Sequence, residues 1–591
     1  MKILRKLPEW LEKRYSILWD EFGSEEFNRK QAIKLLKEEN QDDEKTVGVV
    51  LSELRKAGVI KIKLDPNDAR KRLYVLKSRE EIVKETLSFN EKKLTRDTVE
   101  GLLKKAADLI RTRVDYKFIL ILLFLKRISD KWVLEQDKAY KEALADGLSE
   151  EEAREEATRS IYHDFNMPEE FLWDNIRKDV GRLPEKFSQA LKALGKRNPE
   201  LKDVIDRTDF IQFTTSTENA EILRQLVELF SARKLHYVSP DILGDAYEWV
   251  LRYFAPTKAK EGEVYTPREV IDLLVEILDP KPRESVYDPC CGSGGMLISS
   301  YNHVEDKYGK EEVRKLFLYG QEANQITYAL CKMNLYIHEI RDIDLKLGDT
   351  LSYPKFLENN SFKKFNVVIA NPPWNQDGYD GDVLKKGDFW KERFEYGFSP
   401  KQSADWAWAQ HMIASADEEN GRVGVVIDNG CLFRGGKEKT IRTRVLEEKD
   451  LIECVILLPE KLFYNTGAPG AIIIFNKNKP EERRRKILFI NASKEYEKHP
   501  EVRKLNRLSD ENIEKVADAY KEFKDRKGFV RVVTLDEIKE NDYNLNVTLY
   551  VFPEIEIEEI DIEKEWEELR GIEEEISKVE EKIEGFLREV G

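Results

Sequence analysis

The spacing of apolar residues divides the chain into regions of different character. From about residue 260, short apolar runs alternate with helical periodicity. The runs are ESVYD (284–288), FLYGQ (317–321), IDLKL (343–347), NVVIA (366–370), RVGVVI (422–427), IECVIL (452–457) and AIIIFN (471–476). Several are apolar without interruption, the pattern of strands covered by helices on both faces. This alternation predicts a doubly wound α/β domain over 251–480. Ligands of such folds sit beyond the carboxyl ends of the strands, and Asp288, Glu322, Asp349 and Asn371 stand at four of those ends. Upstream, 91–250 reads almost wholly as helix: DTVEGLLKKAADLIRTRV has three- and four-residue apolar spacing, and LSEEEAREEA opens with a Ser149/Glu152 capping box. Residues 481–562 are mixed. Over 563–591, Leu569, Ile572, Ile576, Val579, Ile583, Phe586 and Val590 follow the spacing of an a/d seam. Such a seam pairs with another helix, in a partner subunit or on the same protein.

Residues 1–80 predict a small α+β unit. RKQAIKLLKEEN and KTVGVVLSELRKAG have helical period, with Gly58 as a stop signal. VIKIKL and KRLYVL alternate as strands around the turn-rich DPNDAR. Helix, helix and hairpin in that order resemble a winged helix. Lys61, Lys63, Arg70, Lys71 and Arg72 on the hairpin suit phosphates, and a protein-docking module is the plainer reading.

Composition narrows the class. Of 591 residues, 41% are hydrophobic, enough for sizeable cores, and 36% are charged, a balance seen in proteins from hot environments. The net charge of −15 argues against a uniformly basic DNA-coating protein but leaves room for a local basic groove. Cys290, Cys291, Cys331, Cys431 and Cys454 form no CxxC, and the six histidines form no ligand-spaced cluster. A reducing cytosol and no metal site are expected. No signal peptide is evident, and the longest apolar run, FILILLFL (118–125), is far too short to span a bilayer.

Five stretches carry chemistry. DPCCGSGG (288–295) ends the first strand, and Gly292, Gly294 and Gly295 let backbone approach a ligand at a strand-to-helix turn. It is neither the GxGxxG fingerprint nor a P-loop. In GQEAN (320–324), Glu322 is placed to accept both hydroxyls of a ribose. In GDT (348–350), Asp349 is an acceptor for an adenine amino group. In VYTPREV (264–270), Thr266 is expected to cap a helix, with Pro267 at its first position and Glu269 completing the box. Finally, NPPW (371–374) stops a buried strand abruptly. A residue before proline is held extended, so Asn371 has a defined direction. Its side-chain oxygen and the Pro372 carbonyl are convergent acceptors for an NH₂ group on a planar ring, and Trp374 offers a stacking face, worth ~1–3 kcal/mol for a base. A plain Pro-Pro loop stop is the bland alternative.

In order, TP, DPCCGSGG, QEAN, GDT and NPPW resemble the motifs of the gamma group of S-adenosylmethionine-dependent DNA adenine methyltransferases. The surrounding KKAADLIRTRVDYKFILILLFLKRISD, SADWAWAQHMI and GRVGVVIDNGCLFRGGKEKTIRTRVLE, with NDYNLNVTLYV further on, resemble the modification (M) subunit of type I restriction–modification systems. The resemblance runs from about residue 91 to the C-terminus. It implies a Rossmann-like seven-stranded S-adenosylmethionine-dependent methyltransferase core. Around the core it implies a helical N-terminal domain and a C-terminal coiled-coil-type helix, beside the winged-helix-like module. Tyr265, Thr266, Pro267, Asp288, Cys290, Gly292, Ser293, Gly294, Gly295, Glu322, Asp349, Thr350 and Asn371 would bind S-adenosylmethionine. Asn371, Pro372, Pro373 and Trp374 would be catalytic, acting on an adenine flipped from double-stranded DNA. The implied partners are a separate specificity (S) subunit, two M to one S, and a restriction (R) subunit. The implied location is a prokaryotic cytoplasm, on the nucleoid when DNA-bound. Trp374 departs from the more usual Phe or Tyr, and Cys290 and Cys291 stand where small residues are usual. Rival readings are a self-sufficient or orphan amino methyltransferase, a cytosine amino methyltransferase, a protein-glutamine methyltransferase and a noncatalytic DNA-binding regulator.

Overall fold

The computed structural model describes residues 9–590 except 57–58, 66–67, 78–95, 111–112, 203–204, 206–208, 239, 259–265, 360, 388, 464–465, 501 and 553–561. The chain forms two units, residues 1–254 with 329–341, and residues 255–328 with 342–591.

The first unit begins with helices Glu9–Phe22, Arg29–Asn40 and Glu44–Lys56, followed by the hairpin Ile60–Asp65 and Asp68–Leu76. Phe27–Asn28 adds a short third strand against the second hairpin strand. The helix–helix–hairpin expected from the pattern is thus preceded by one further helix. Leu18, Phe27, Leu36, Val50 and Leu54 form a core for this segment alone. The side chains of Lys61, Lys63, Arg70, Lys71 and Arg72 lie outside the described residues. The remainder is helical, and the apolar FILILLFL run is the buried start of the long helix Lys117–Ala145. The Ser149/Glu152 capping box forms as expected. Segment 329–341 belongs here: the Tyr247 hydroxyl donates to the Leu330 carbonyl at 3.2 Å, and Arg341 pairs with Asp164 at 2.7 Å.

The second unit is built on one mixed sheet. All seven predicted strands form: β1 (Ser285–Asp288), β2 (Phe317–Glu322), β3 (Ile343–Leu347), β4 (Val367–Ala370), β5 (Arg422–Asp428), β6 (Ile452–Leu457) and β7 (Gly470–Asn476). Two more, β8 (Lys486–Asn491) and β9 (Val530–Thr534), make nine and carry the sheet past residue 480 into the region read as mixed. The order is β9-β8-β6-β7-β5-β4-β1-β2-β3. Strands β3, β2, β1, β4 and β5 run parallel, and β7 lies antiparallel between β5 and β6. The order therefore reverses between β1 and β4, the place where open α/β sheets open a crevice.

Helices α1 (Arg268–Leu278), α2 (Gly295–Tyr308), α3 (Asp405–Ser415) and α4 (Gly436–Lys449) flank the sheet. Alternation along β5 explains the two faces. Val423, Val425 and Ile427 join Trp406 and Met412 of α3 and Ile441 and Val445 of α4 in one core cluster. On the other face α1 approaches β5 so closely that a Cβ on Gly424 would sit 2.7 Å from Leu274. The last helix, α5 (Ile562–Val590), leaves Leu569, Ile572, Ile576, Val579 and Ile583 each at least 50% exposed. The side chains of Phe586 and Val590 lie outside the described residues. Among the described residues, no helix is long and apolar enough to cross a membrane, and no group of His, Cys, Asp and Glu has metal-binding geometry.

Candidate functional site

The turn after β1 presents backbone rather than side chains. Gly292 and Gly294 have φ of 52° and 86°, which only glycine adopts without strain. Gly294 ends the turn as the N-cap of α2, and Gly295 opens the helix where a Cβ would meet Ile271 at 3.1 Å. Ser293 lies between the two left-handed glycines. Asp288 is 3% exposed and accepts the Cys290 N–H at 3.0 Å. Burial pushes its carboxyl up to about 8 and also raises the Cys290 thiol. At the end of β2, Glu322 accepts the Gly292 N–H at 3.0 Å and the Asn324 N–H at 2.7 Å. These bonds aim the carboxylate along the turn. After β3, Asp349 accepts the Tyr379 hydroxyl at 3.1 Å and the Leu351 N–H at 3.0 Å. Buried Thr350 donates to the Pro289 carbonyl at 2.5 Å, tying the β3 end to the β1 turn. A glycine cradle with acidic acceptors at three successive strand ends fits a nucleoside carrying a cationic tail. Tyr265 lies outside the described residues.

The second half of the site follows β4. Asn371 donates from Nδ2 to Thr266 Oγ1 at 2.8 Å, and its Oδ1 accepts the Trp374 indole N–H at 3.0 Å. The amide is held from both ends, with one carbonyl lone pair still open. Pro372 is buried and Pro373 half-buried. The Trp374 ring meets Phe463 edge-to-face at 4.7 Å, and a Cβ on Gly470 would collide with it at 2.7 Å. Thr266 does not cap α1: the helix begins at Arg268, Pro267 takes the cap position, and no side chain caps it. Proline has no N–H and holds an extended ψ of 136°, so the Thr266 hydroxyl is directed to Asn371 instead.

Several contributors carry no local sequence signal. Buried Arg393 donates to the carbonyls of Thr350 and Leu351, at 3.0 and 2.8 Å, and so fixes the GDT turn. Tyr379, Phe463 and Gly470 reach the motifs only through the fold. The one cue is that 461–470 precedes the apolar run of β7.

The family description for N-6 DNA methylases matches residues 238–559, and that for the HsdM N-terminal domain matches 99–230. The chain is 46% identical to the type I restriction enzyme MjaVIII methylase subunit of Methanocaldococcus jannaschii, covering 100% of this chain and 99% of the relative. The chain belongs to the methylase subunits of type I restriction enzymes. This methylase subunit is equally close, at 46% identity over 98% of its length and 97% of the relative, to the MjaVII methylase subunit of the same organism. Among solved structures it resembles the type I methyltransferase subunit of Streptococcus thermophilus, with a TM-score of 0.67 at 27% identity over 78% of this chain and 100% of that one. As an N-6 DNA methylase, the subunit is an adenine-specific DNA methyltransferase. Every site residue described above falls inside the N-6 DNA methylase match.

Proposed function

We propose that the crevice between β1 and β4 is where this methylase subunit joins adenine to its methyl donor. The glycine turn with Asp288, Cys290 and Ser293, the acceptors Glu322 and Asp349, and the supporting Thr266, Pro267 and Thr350 would hold S-adenosylmethionine. When bound, that molecule supplies an electrophilic methyl group. The chain must then bring a poor nucleophile into line, since the adenine amino lone pair is delocalised into the ring. The open lone pair of Asn371 Oδ1 and the Pro372 carbonyl accept the two amino hydrogens and draw the lone pair onto nitrogen. Asn371 is no strong base, so the proton leaves after transfer, and positioning is the main contribution. Trp374 stacks the ring, and Pro373 keeps the turn rigid. The target nitrogen is inaccessible in a duplex, so the base is flipped out of double-stranded DNA. The observation that carries this reading is the doubly anchored Asn371 amide at the sheet's switch point.

The exposed seam of α5 docks on helices of a separate specificity subunit, two methylase subunits to one, and a restriction subunit completes the cleaving complex. The N-terminal hairpin adds contacts to DNA phosphates. The setting is a prokaryotic cytoplasm.

The test is transfer of labelled methyl to DNA with and without the specificity subunit, with the product nucleosides identified by mass spectrometry. N6-methyladenine is expected when the specificity subunit is present. Asn371→Ala should bind the donor and transfer almost nothing, and normal turnover would sink the assignment. Deleting residues 563–591 should abolish co-purification with the specificity subunit, and intact assembly would refute the docking role.

A further inference from the structure

Beside the Asn371 turn lies a charged cluster with no part in the chemistry above. Arg434 lies between the end of β5 and the start of α4. It donates to Asp428 at 2.6 Å, to Asp405 at 2.8 Å and to Glu438 at 2.6 Å. Asp405 and Glu438 are 0% and 2% exposed. The second oxygen of Asp405 accepts the backbone N–H of Asn375 at 3.1 Å. Asn375 directly follows Trp374 and has a left-handed φ of 52°. The next residue is held at the same helix start: the Gln376 carbonyl accepts the Ala404 N–H at 2.9 Å, and its side-chain oxygen accepts the Trp408 indole N–H at 3.1 Å.

We propose that Arg434 and Asp405 are positioning residues for methyl transfer. Together they lock the turn after Trp374, and through it the directions of the Trp374 ring and the Asn371 amide. The inference rests on the assignment of Asn371 as the amine acceptor.

Two arguments carry it. First, buried ion clusters are poor sources of stability, because desolvation offsets the attraction, and apolar residues would stabilise the same space as well. Here the cluster ends on a backbone N–H held in a left-handed conformation, one residue from the stacking ring. Second, the cluster is short of protons. Three carboxylates face one guanidinium. The Ser403 hydroxyl lies 2.8 Å from both Asp405 and Glu438, yet it has one proton to donate. It can therefore donate to only one of the two carboxylates at a time. Burial raises Asp405 to about 6, with Arg434 and Asp428 as the charges acting on it and Ser403 and Asn375 donating to it. Asp405 also lies near buried Cys431, and Glu438 acts on the neighbouring Arg442. The ionised carboxylate holds Arg434 and Asn375. Protonation as the pH falls through about 6 weakens both bonds and loosens the turn.

The experiment compares Arg434→Met, Asp405→Asn and Ser403→Ala in the methylase subunit assembled with its specificity subunit, on target DNA. Donor affinity by calorimetry should stay within about twofold. The kcat of the first two variants should fall about 10- to 100-fold with KM nearly unchanged, the scale for a small misplacement of a reacting group. The wild-type kcat should decline below about pH 6, and Asp405→Asn should lack that limb. Ser403→Ala removes a donor to the carboxylate, so its limb should move to higher pH. Because it removes only the long 3.3 Å bond from Arg434 to Ser403 and leaves the three carboxylate partners in place, this variant serves if the others fail to fold. Wild-type kcat in Arg434→Met and Asp405→Asn, or an unmoved acid limb in Ser403→Ala, would overturn the inference. Asn371→Ala is run in parallel. If it is active, the underlying assignment fails. If it alone is inactive, the positioning role fails by itself.

Discussion

The turns after β1 and β4 leave neighbouring parallel strands, yet they are built by opposite means. The β1 turn is made of glycines, and what it presents is main chain: amides, left-handed residues and room for close approach. The β4 turn is made of an amide, two prolines and an indole, and what it presents is side chain. A backbone cradle is positioned by the strand and helix it joins. A side-chain clamp has extra rotatable bonds, and each must be fixed from outside. Hence Asn371 is held by Thr266 and Trp374, Trp374 is wedged between Phe463 and Gly470, and Asn375 is tied to Asp405. In the proposed reading, the side-chain clamp receives the flipped base and the main-chain cradle receives the donor.

Substitutions can break this contrast in order of effect. Asn371→Ala removes the clamp itself, and kcat should fall roughly 100- to 1,000-fold, the scale for deleting a preorganised hydrogen-bonding group. Single-turnover transfer to target DNA measures it. Gly294→Ala forces a side chain into the left-handed region, at a cost of about 1–2 kcal/mol. Donor affinity by calorimetry should drop about tenfold, while the rate at saturating donor changes little. Thr266→Val keeps shape but leaves the Asn371 amide with one anchor. One hydrogen bond is worth about 0.5–1.5 kcal/mol, so kcat at saturating donor should fall about three- to tenfold. An unchanged kcat would mean that Trp374 alone orients the amide. The smallest effect is expected from Asp288→Asn. The folded carboxyl holds its proton up to about pH 8, while the unfolded chain releases it near pH 4, so the native state is penalised increasingly between those values. The asparagine variant should therefore gain a few degrees in Tm at pH 8 and nothing at pH 3.5, as thermal unfolding without donor would report.

The same contrast explains what could be read in advance. β4, β5, β6 and β7 are legible because strands buried on both faces announce themselves as apolar runs, antiparallel β7 included. The glycine turn and NPPW are contiguous, so their chemistry is local and legible. β8 and β9 fall in a region that reads as mixed, because KILFIN follows a charged, turn-rich stretch and lies outside the strand–helix alternation. Thr266 reads as a cap because Ser and Thr before a helix usually are, and only the distance to Asn371, 105 residues away, reveals its other partner. Arg434 and Asp405 are 29 residues apart in charged and aromatic surroundings, where periodicity says nothing about which ions meet. Trp374 reads from sequence as a stacking face, and the fold adds a second role by setting its indole N–H against Asn371.

The helix that follows β2, Gln325–Ile337, crosses from one unit to the other: residues 329–341 fold with the first unit before the chain returns to β3. A single cut near residue 254 would therefore not release two complete halves. The downstream fragment would carry Leu330, Met333, Leu335 and Ile337, all buried in the intact chain, on a segment that belongs to the first unit. The two units are thus inseparable as hereditary parts. A recombination event that exchanged one of them intact between related genes would need three crossovers, near residues 254, 328 and 341.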